Sequence, residues 1–217
     1  MIPLTRHGIS EMVVGTIILF AIGCGLYLIY PPLAGVVVPV ELWLIAFFRD
    51  PERATPQEPG LYISPADGVV SDITDMPKCD VLNEPAIRIG IFLSVFNVHV
   101  NRMPCAGKVA SVAYRKGKFI NAMHHDQCSI KNEANTLVLV DEAGKNVAGV
   151  RQLVGLIARR IVCMAKVGDA VTRGQRYGMI KFGSRTELYI PKRLAPEVKV
   201  ELGQKVRGAI DVLAVVH

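Results

Sequence analysis

Charge is missing from the start of the chain. From Met12 to Tyr30 there are 19 successive residues without Asp, Glu, Lys or Arg. That excludes an ordinary surface helix, which keeps a polar face. At 1.5 Å per residue the run reaches roughly 28 Å, close to the hydrocarbon thickness of a bilayer. Cysteine patterning is also missing. The five cysteines, Cys24, Cys79, Cys105, Cys128 and Cys163, form no CxxC pair and no tight cluster. Their odd count and wide spacing argue against a disulfide framework and against a metal site, and read as reduced thiols on a cytoplasmic face. No cofactor fingerprint and no obvious nucleophile-plus-base motif occurs. No recognition motif or basic-aromatic stripe points to nucleic acid.

What is present is divided unevenly. Hydrophobic residues make up 51% of the 217 residues, and the mean hydropathy is +0.34. The first 50 residues carry only Arg6, Arg49, Glu11, Glu41 and Asp50, a net of −1. The whole chain is +6, so residues 51–217 carry +7. A basic body beside an apolar head suits anionic lipid headgroups.

Pro31-Pro32 ends the first apolar run, because proline lacks the N–H and clashes with the preceding turn. A second run, Leu33 to Phe48, contains Pro39 and Glu41. Trp43, Phe47 and Phe48 near its end suit an interface, with Arg49 and Arg53 following. Residues 1–48 are expected to be a membrane-associated helical segment, in the form of a hairpin with both ends cytoplasmic. One spanning helix plus an interfacial helix, or a buried soluble pair, are the alternatives. Glu41 weighs against full insertion of the second run. Residues 49–60, with Pro51, Pro56, Pro59 and Gly60, read as a linker.

Residues 61–217 read as one β-rich catalytic domain. Gly90 to Leu93, Thr136 to Val140, Arg160 to Cys163 and Tyr177 to Phe182 are strand candidates. Val147 to Ala158 fits strand or helix. Two internal echoes occur. Pro65-Ala66-Asp67-Gly68-Val69-Val70 resembles Pro104-Cys105-Ala106-Gly107-Lys108-Val109, and Val167 to Gln175 resembles Leu202 to Gly208. Such glycine-bounded hairpins suggest a barrel-sandwich hybrid, the flattened β-barrel of lipoyl and biotinyl carriers. The exposed lysine tip of a carrier is missing.

Gly183-Ser184 lies between two strand-like runs. A serine hydroxyl can attack the preceding carbonyl if the peptide is held bent and the hydroxyl loses its proton. The N→O shift gives an ester. β-Elimination then frees Gly183 as a carboxylate and leaves dehydroalanine at 184. Tautomerisation, addition of water and loss of ammonia yield a pyruvoyl ketone. Such a ketone condenses with an amine as a Schiff base and takes up the electrons of a departing carboxylate. Asp67 could orient or deprotonate near Ser184, with a plain Asp-Gly turn as the alternative. His99 could shuttle a proton near neutral pH. Arg102, Arg159, Arg160 and Arg185 are candidates for binding a phosphate.

Four segments resemble, in order and spacing, motifs of the phosphatidylserine decarboxylase proenzymes in their short bacterial and archaeal form. They are Ser64-Pro65-Ala66-Asp67-Gly68, Phe92 to Pro104, Gly155 to Val162, and Phe182-Gly183-Ser184-Arg185. The resemblance covers about residues 45–205. It implies self-cleavage between Gly183 and Ser184 into a β chain 1–183 and an α chain 184–217. Ser184 would become the covalent pyruvoyl cofactor, with Asp67 and His99 catalytic. Arg102, Arg159 and Arg185 would be substrate-phosphate candidates, and no metal is expected. It further implies conversion of phosphatidylserine to phosphatidylethanolamine and CO2 on the cytoplasmic face of the inner membrane; a homodimer is a candidate assembly on which the sequence itself is silent. Two positions depart from the long forms of the family. Arg185 follows the serine in place of threonine, and Arg102 stands where those forms keep the second histidine of a His-x-x-His pair. The base that starts the cut is therefore open between His99 and Asp67. A membrane-tethered adaptor without catalysis, and a pyruvoyl decarboxylase of another serine phospholipid, are the competing expectations.

Overall fold

The computed structural model describes residues 3–118, 125–155, 160–181 and 184–216. The chain divides into two compact units, Met1–Glu52 and Arg53–His217.

In the first unit, helix α1 (Ile9–Ile29) is apolar around its whole circumference, and Phe20 and Leu28 are exposed. The helix with its leading turn, Arg6–Ile29, is long enough to cross a bilayer, and an 18-residue stretch within it has a mean hydropathy of 2.4. Pro31 and Pro32 open a 3-10 turn, Pro31–Val36, which leads into the shorter α2 (Val37–Phe47). Gly15 lets α2 approach, since a Cβ there would stand 2.5 Å from Leu44 Cδ2. Glu41, the residue that weighs against insertion of α2, accepts a 2.6 Å hydrogen bond from Thr16 Oγ1 of α1. The ends of the unit close on each other through Thr5 N–H to Phe48 O and Asp50 N–H to Pro3 O.

The second unit is mainly β, as expected. Its early strands are β1 (Leu61–Ile63), β2 (Gly68–Cys79), β3 (Glu84–Leu93), β4 (Val100–Arg102) and β5 (Gly107–Arg115). A short helix α3 (His125–Lys131) follows, then β6 (Ala134–Val140), β7 (Asn146–Val154), β8 (Arg160–Cys163) and β9 (Ala170–Val171). The last are β10 (Arg176–Lys181), β11 (Ser184–Pro191), β12 (Glu197–Val198), β13 (Lys205–Val206) and β14 (Val212–Val215). Eight of them make one antiparallel sheet in the order β13-β2-β3-β11-β7-β6-β5-β9. Two three-stranded sheets, β4-β10-β8 and β1-β14-β12, complete it. Alternating residues of the large sheet, among them Ile89, Ile91, Leu137, Leu139, Val150 and Leu188, enter one hydrophobic core.

The two sequence echoes meet each other in space. Val70 N–H bonds Gln204 O at 2.9 Å, and Gly203 N–H bonds Val70 O at 2.8 Å. At the other edge, Val109 N–H bonds Asp169 O at 2.9 Å, and Gly168 N–H bonds Val109 O at 2.8 Å. Gly168 and Gly203 have φ of +95° and +84°, which L residues rarely adopt. The edges β13-β2 and β5-β9 are thus the same hairpin contact made twice.

Candidate active site

Ser184 is the first residue of β11, in register with Leu93 of β3 and Val154 of β7. The sequence puts Gly183-Ser184 between two strand-like runs; in the structure Ser184 already belongs to the second one. It is fully buried, and its Oγ makes no hydrogen bond among the described residues. A buried hydroxyl normally has a partner, so an unbonded one is available for chemistry. Strand alternation sends Ser184, Thr186 and Leu188 to the core side, and Arg185, Glu187 and Tyr189 to the opposite side. Gly183, and with it the carbonyl expected to be attacked, lies outside the described residues, as does Arg159.

His99 is fully buried just before β4. Its carbonyl accepts a 3.3 Å bond from Ile180 N–H of β10, the strand that leads to residues 182–183 and then Ser184. His99 Nδ1 lies 3.0 Å from Asn97 O. A carbonyl only accepts, so this contact places the proton on Nδ1 and leaves Nε2 as the basic nitrogen of the neutral ring. The Asn97 carbonyl is itself held in place. Asn97 Oδ1 accepts from Ser94 N–H at 2.9 Å and Ser94 Oγ at 2.8 Å, which closes a tight turn.

Buried amides that sequence reasoning missed connect these strands. Asn101 Nδ2 donates to Thr186 Oγ1 at 3.4 Å, tying β4 to β11. Gln152 Nε2 donates to Asn101 Oδ1 at 2.9 Å, and Asn135 Nδ2 donates to Gln152 Oε1 at 3.1 Å. Asn101 did carry a signal: it sits two residues from His99, on the same face of an extended segment.

Asp67 is not bonded to Ser184 or His99. Arg53 grips it with two nitrogens, at 2.5 and 2.8 Å, and Gly208 N–H donates to it at 2.8 Å. It lines a cavity of about 520 Å³ together with Phe92, Ser94, Asn97, Lys205 and Arg207. Phe92 and Ser94 flank Leu93, the register partner of Ser184, and neither Leu93 nor Ser184 lines the cavity. Two further lining residues, Lys205 and Arg207, were absent from the sequence candidates, and Arg207 is paired with Asp211, which lines the same cavity. Arg102 instead lies buried with Nη1 3.4 Å from Gly174 O. Arg185 is fully buried between Asp72 and Glu187. Burial alone would lower the Arg185 pKa, but Glu187 and then Asp72 outweigh it and raise it.

The candidate site thus combines a serine at a strand start whose hydroxyl is unbonded among the described residues, a buried histidine whose carbonyl is bonded to the strand that leads toward it, and a cavity lined by charged residues of both signs. The sequence model of one family, phosphatidylserine decarboxylase, matches residues 40–214. Among similar proteins, that of Ruegeria pomeroyi is 45% identical over 87% of this chain and 86% of its own length. That of Rhodopirellula baltica is 39% identical over 98% of this chain and 88% of its own. That of Cereibacter sphaeroides is 45% identical over 87% and 81%. All three are named phosphatidylserine decarboxylase proenzyme. The chain belongs to the phosphatidylserine decarboxylase family.

Proposed function

We propose that this chain decarboxylates phosphatidylserine to phosphatidylethanolamine and CO2, after cutting itself between Gly183 and Ser184. The observation that carries the reading is the Ser184 hydroxyl, buried without a hydrogen bond among the described residues at the head of a central strand. Such a hydroxyl fits conversion of residue 184 into a pyruvoyl group, because no partner has to be broken first. When formed, that ketone supplies the electron sink for the departing carboxylate.

The remaining chemistry belongs to the chain. Ser184 Oγ attacks the residue-183 carbonyl, and a base must take its proton. His99 is the stronger choice, since its Nδ1 contact leaves Nε2 basic. Asp67 is occupied by Arg53 and acts through the cavity wall rather than on the hydroxyl. Lys205 lines the cavity as a cation that could meet an anionic headgroup, while Arg207 beside it is paired with Asp211. α1 would hold the body at the bilayer that contains the substrate, on the cytoplasmic face of the inner membrane.

The denatured mass tests the reading. Wild-type protein should give two chains divided after Gly183, with the smaller one lacking a free amino terminus. Ser184→Ala should give one chain and no CO2 from phosphatidylserine vesicles. A single intact chain in active wild-type material overturns self-cleavage.

A further inference from the structure

We propose that Arg185 is the anchor that keeps the new chain end in place after the cut, by tying the second residue of the smaller chain to Asp72 of the larger one. The inference rests on the cleavage reading above. A cut before Ser184 turns the first position of β11 into a chain terminus. Termini fray unless tied down, and a reacting group at a frayed end is misplaced by more than catalysis tolerates.

The geometry supplies the tie. Arg185 Nη2 bonds Asp72 Oδ1, and Nη1 bonds Ser71 Oγ at 2.5 Å, both on β2. Nε bonds Glu187 Oε1 at 2.9 Å on its own strand. Each carboxylate is braced in turn. Asp72 Oδ2 accepts from Arg88 Nε at 3.0 Å and Thr74 Oγ1 at 3.3 Å. Glu187 accepts from Tyr189 OH at 2.6 Å and from Ser129 Oγ of α3. β3 runs between β2 and β11, and it leaves room at Gly90, which is in register with both Asp72 and Glu187. A Cβ at Gly90 would overlap the Arg185 guanidinium and the Asp72 carboxylate. The side chain crosses a neighbouring strand through that gap.

Arg185 points to the face opposite Ser184, so it never meets the reacting atoms. It is a positioning residue. An apolar side chain would also be buried there, but without direction. The guanidinium fork fixes the strand along its length as well as across it. The bonds to Asp72 and Ser71 join residues that would sit in different chains after cleavage, where no peptide bond holds the end.

Hydrogen exchange followed by mass spectrometry tests this on full-length protein. The variants are Arg185→Lys and, should that one fold poorly, Asp72→Asn. Each should still be cut after Gly183. Amides of residues 185–188 should exchange about tenfold faster than in cut wild type, with β5 and β6 unchanged. kcat should fall about tenfold with KM little altered. In the uncut Ser184→Ala background, adding Arg185→Lys should leave exchange at 185–188 unchanged. Equal loosening in the uncut chain, loosening throughout the body, or unaltered exchange and kcat in the cut variants would each overturn the anchor. An uncut wild type would overturn the cleavage reading instead.

Discussion

One buried thiol and one largely buried ion pair carry charge predictions that follow from their surroundings. Burial pushes the Cys105 thiol from 9.0 up to about 12, against a smaller opposing pull from Arg173. Its folded pKa lies above its unfolded one. Its contribution to stability is therefore complete below pH 9 and is lost as pH climbs toward 12. Native protein at pH 8 should leave Cys105 unalkylated by iodoacetamide, whereas denatured protein should react; the modified peptide reads this directly. The Arg53–Asp67 pair makes a second case, with side chains 9% and 13% exposed. Arg53→Met leaves a largely buried carboxylate without its cation and should lower unfolding free energy by about 2 kcal/mol, measured by urea denaturation. The double variant Arg53→Met with Asp67→Leu should recover a large part of that loss, because the charge left alone is gone. Asp67 was legible in sequence as part of a motif. Its partner was not, since an ion pair across 14 residues leaves no periodic trace, and Arg53 stands among prolines that read as linker.

At the level of strands, local pattern gave type and left extent open. Arg160–Cys163 matches its expected bounds, while the strand expected over Gly90–Leu93 extends back to Glu84. Val147 to Ala158 fitted strand or helix by periodicity, and pairing with β6 and β11 decides for strand over Asn146–Val154. β11 was hardest to read, because Arg185 and Glu187 look like a solvated turn. Both are buried, and they are tolerated only because Ser71 and Asp72 of β2 and Ser129 of α3 come from elsewhere to bond them. Of the amides that link these strands only Asn101 carried a sequence signal, through its spacing from His99; Gln152 and Asn135 carried none. Thr186→Val removes the hydroxyl that Asn101 bonds while keeping the shape of the side chain. It should destabilise the body by about 1 to 3 kcal/mol, and Thr186→Ser should do so less. Cleavage timed by gel against a melting curve checks both: slower cutting in Thr186→Val and near-normal cutting in Thr186→Ser are expected.

The whole molecule joins a duplicated scaffold to an apolar head. The repeat was readable because glycine turns and their flanking valines recur at both edges of the large sheet. What differs between its halves is where function enters. By the matched hydrogen bonds Val70 corresponds to Val109, so Asp67 corresponds to Ala106, and the acid exists at one edge only. The head was legible from its missing charge, and α1 spans Ile9–Ile29 as one helix with lipid-compatible side chains on every side. If α1 is what brings the body to its lipid substrate, a charge at its middle should uncouple the two. Phe20 sits near the helix centre and is 72% exposed, so Phe20→Lys leaves little packing to lose. A lysine at that depth costs about 3 kcal/mol of insertion, roughly a hundredfold in partition. Vesicle flotation should therefore show wild-type protein at the top of the gradient and the variant mostly at the bottom. Turnover of vesicle-borne phosphatidylserine should fall in parallel, while turnover of a short-chain, micellar phosphatidylserine should not. Equal flotation of both proteins would remove α1 from the role of anchor.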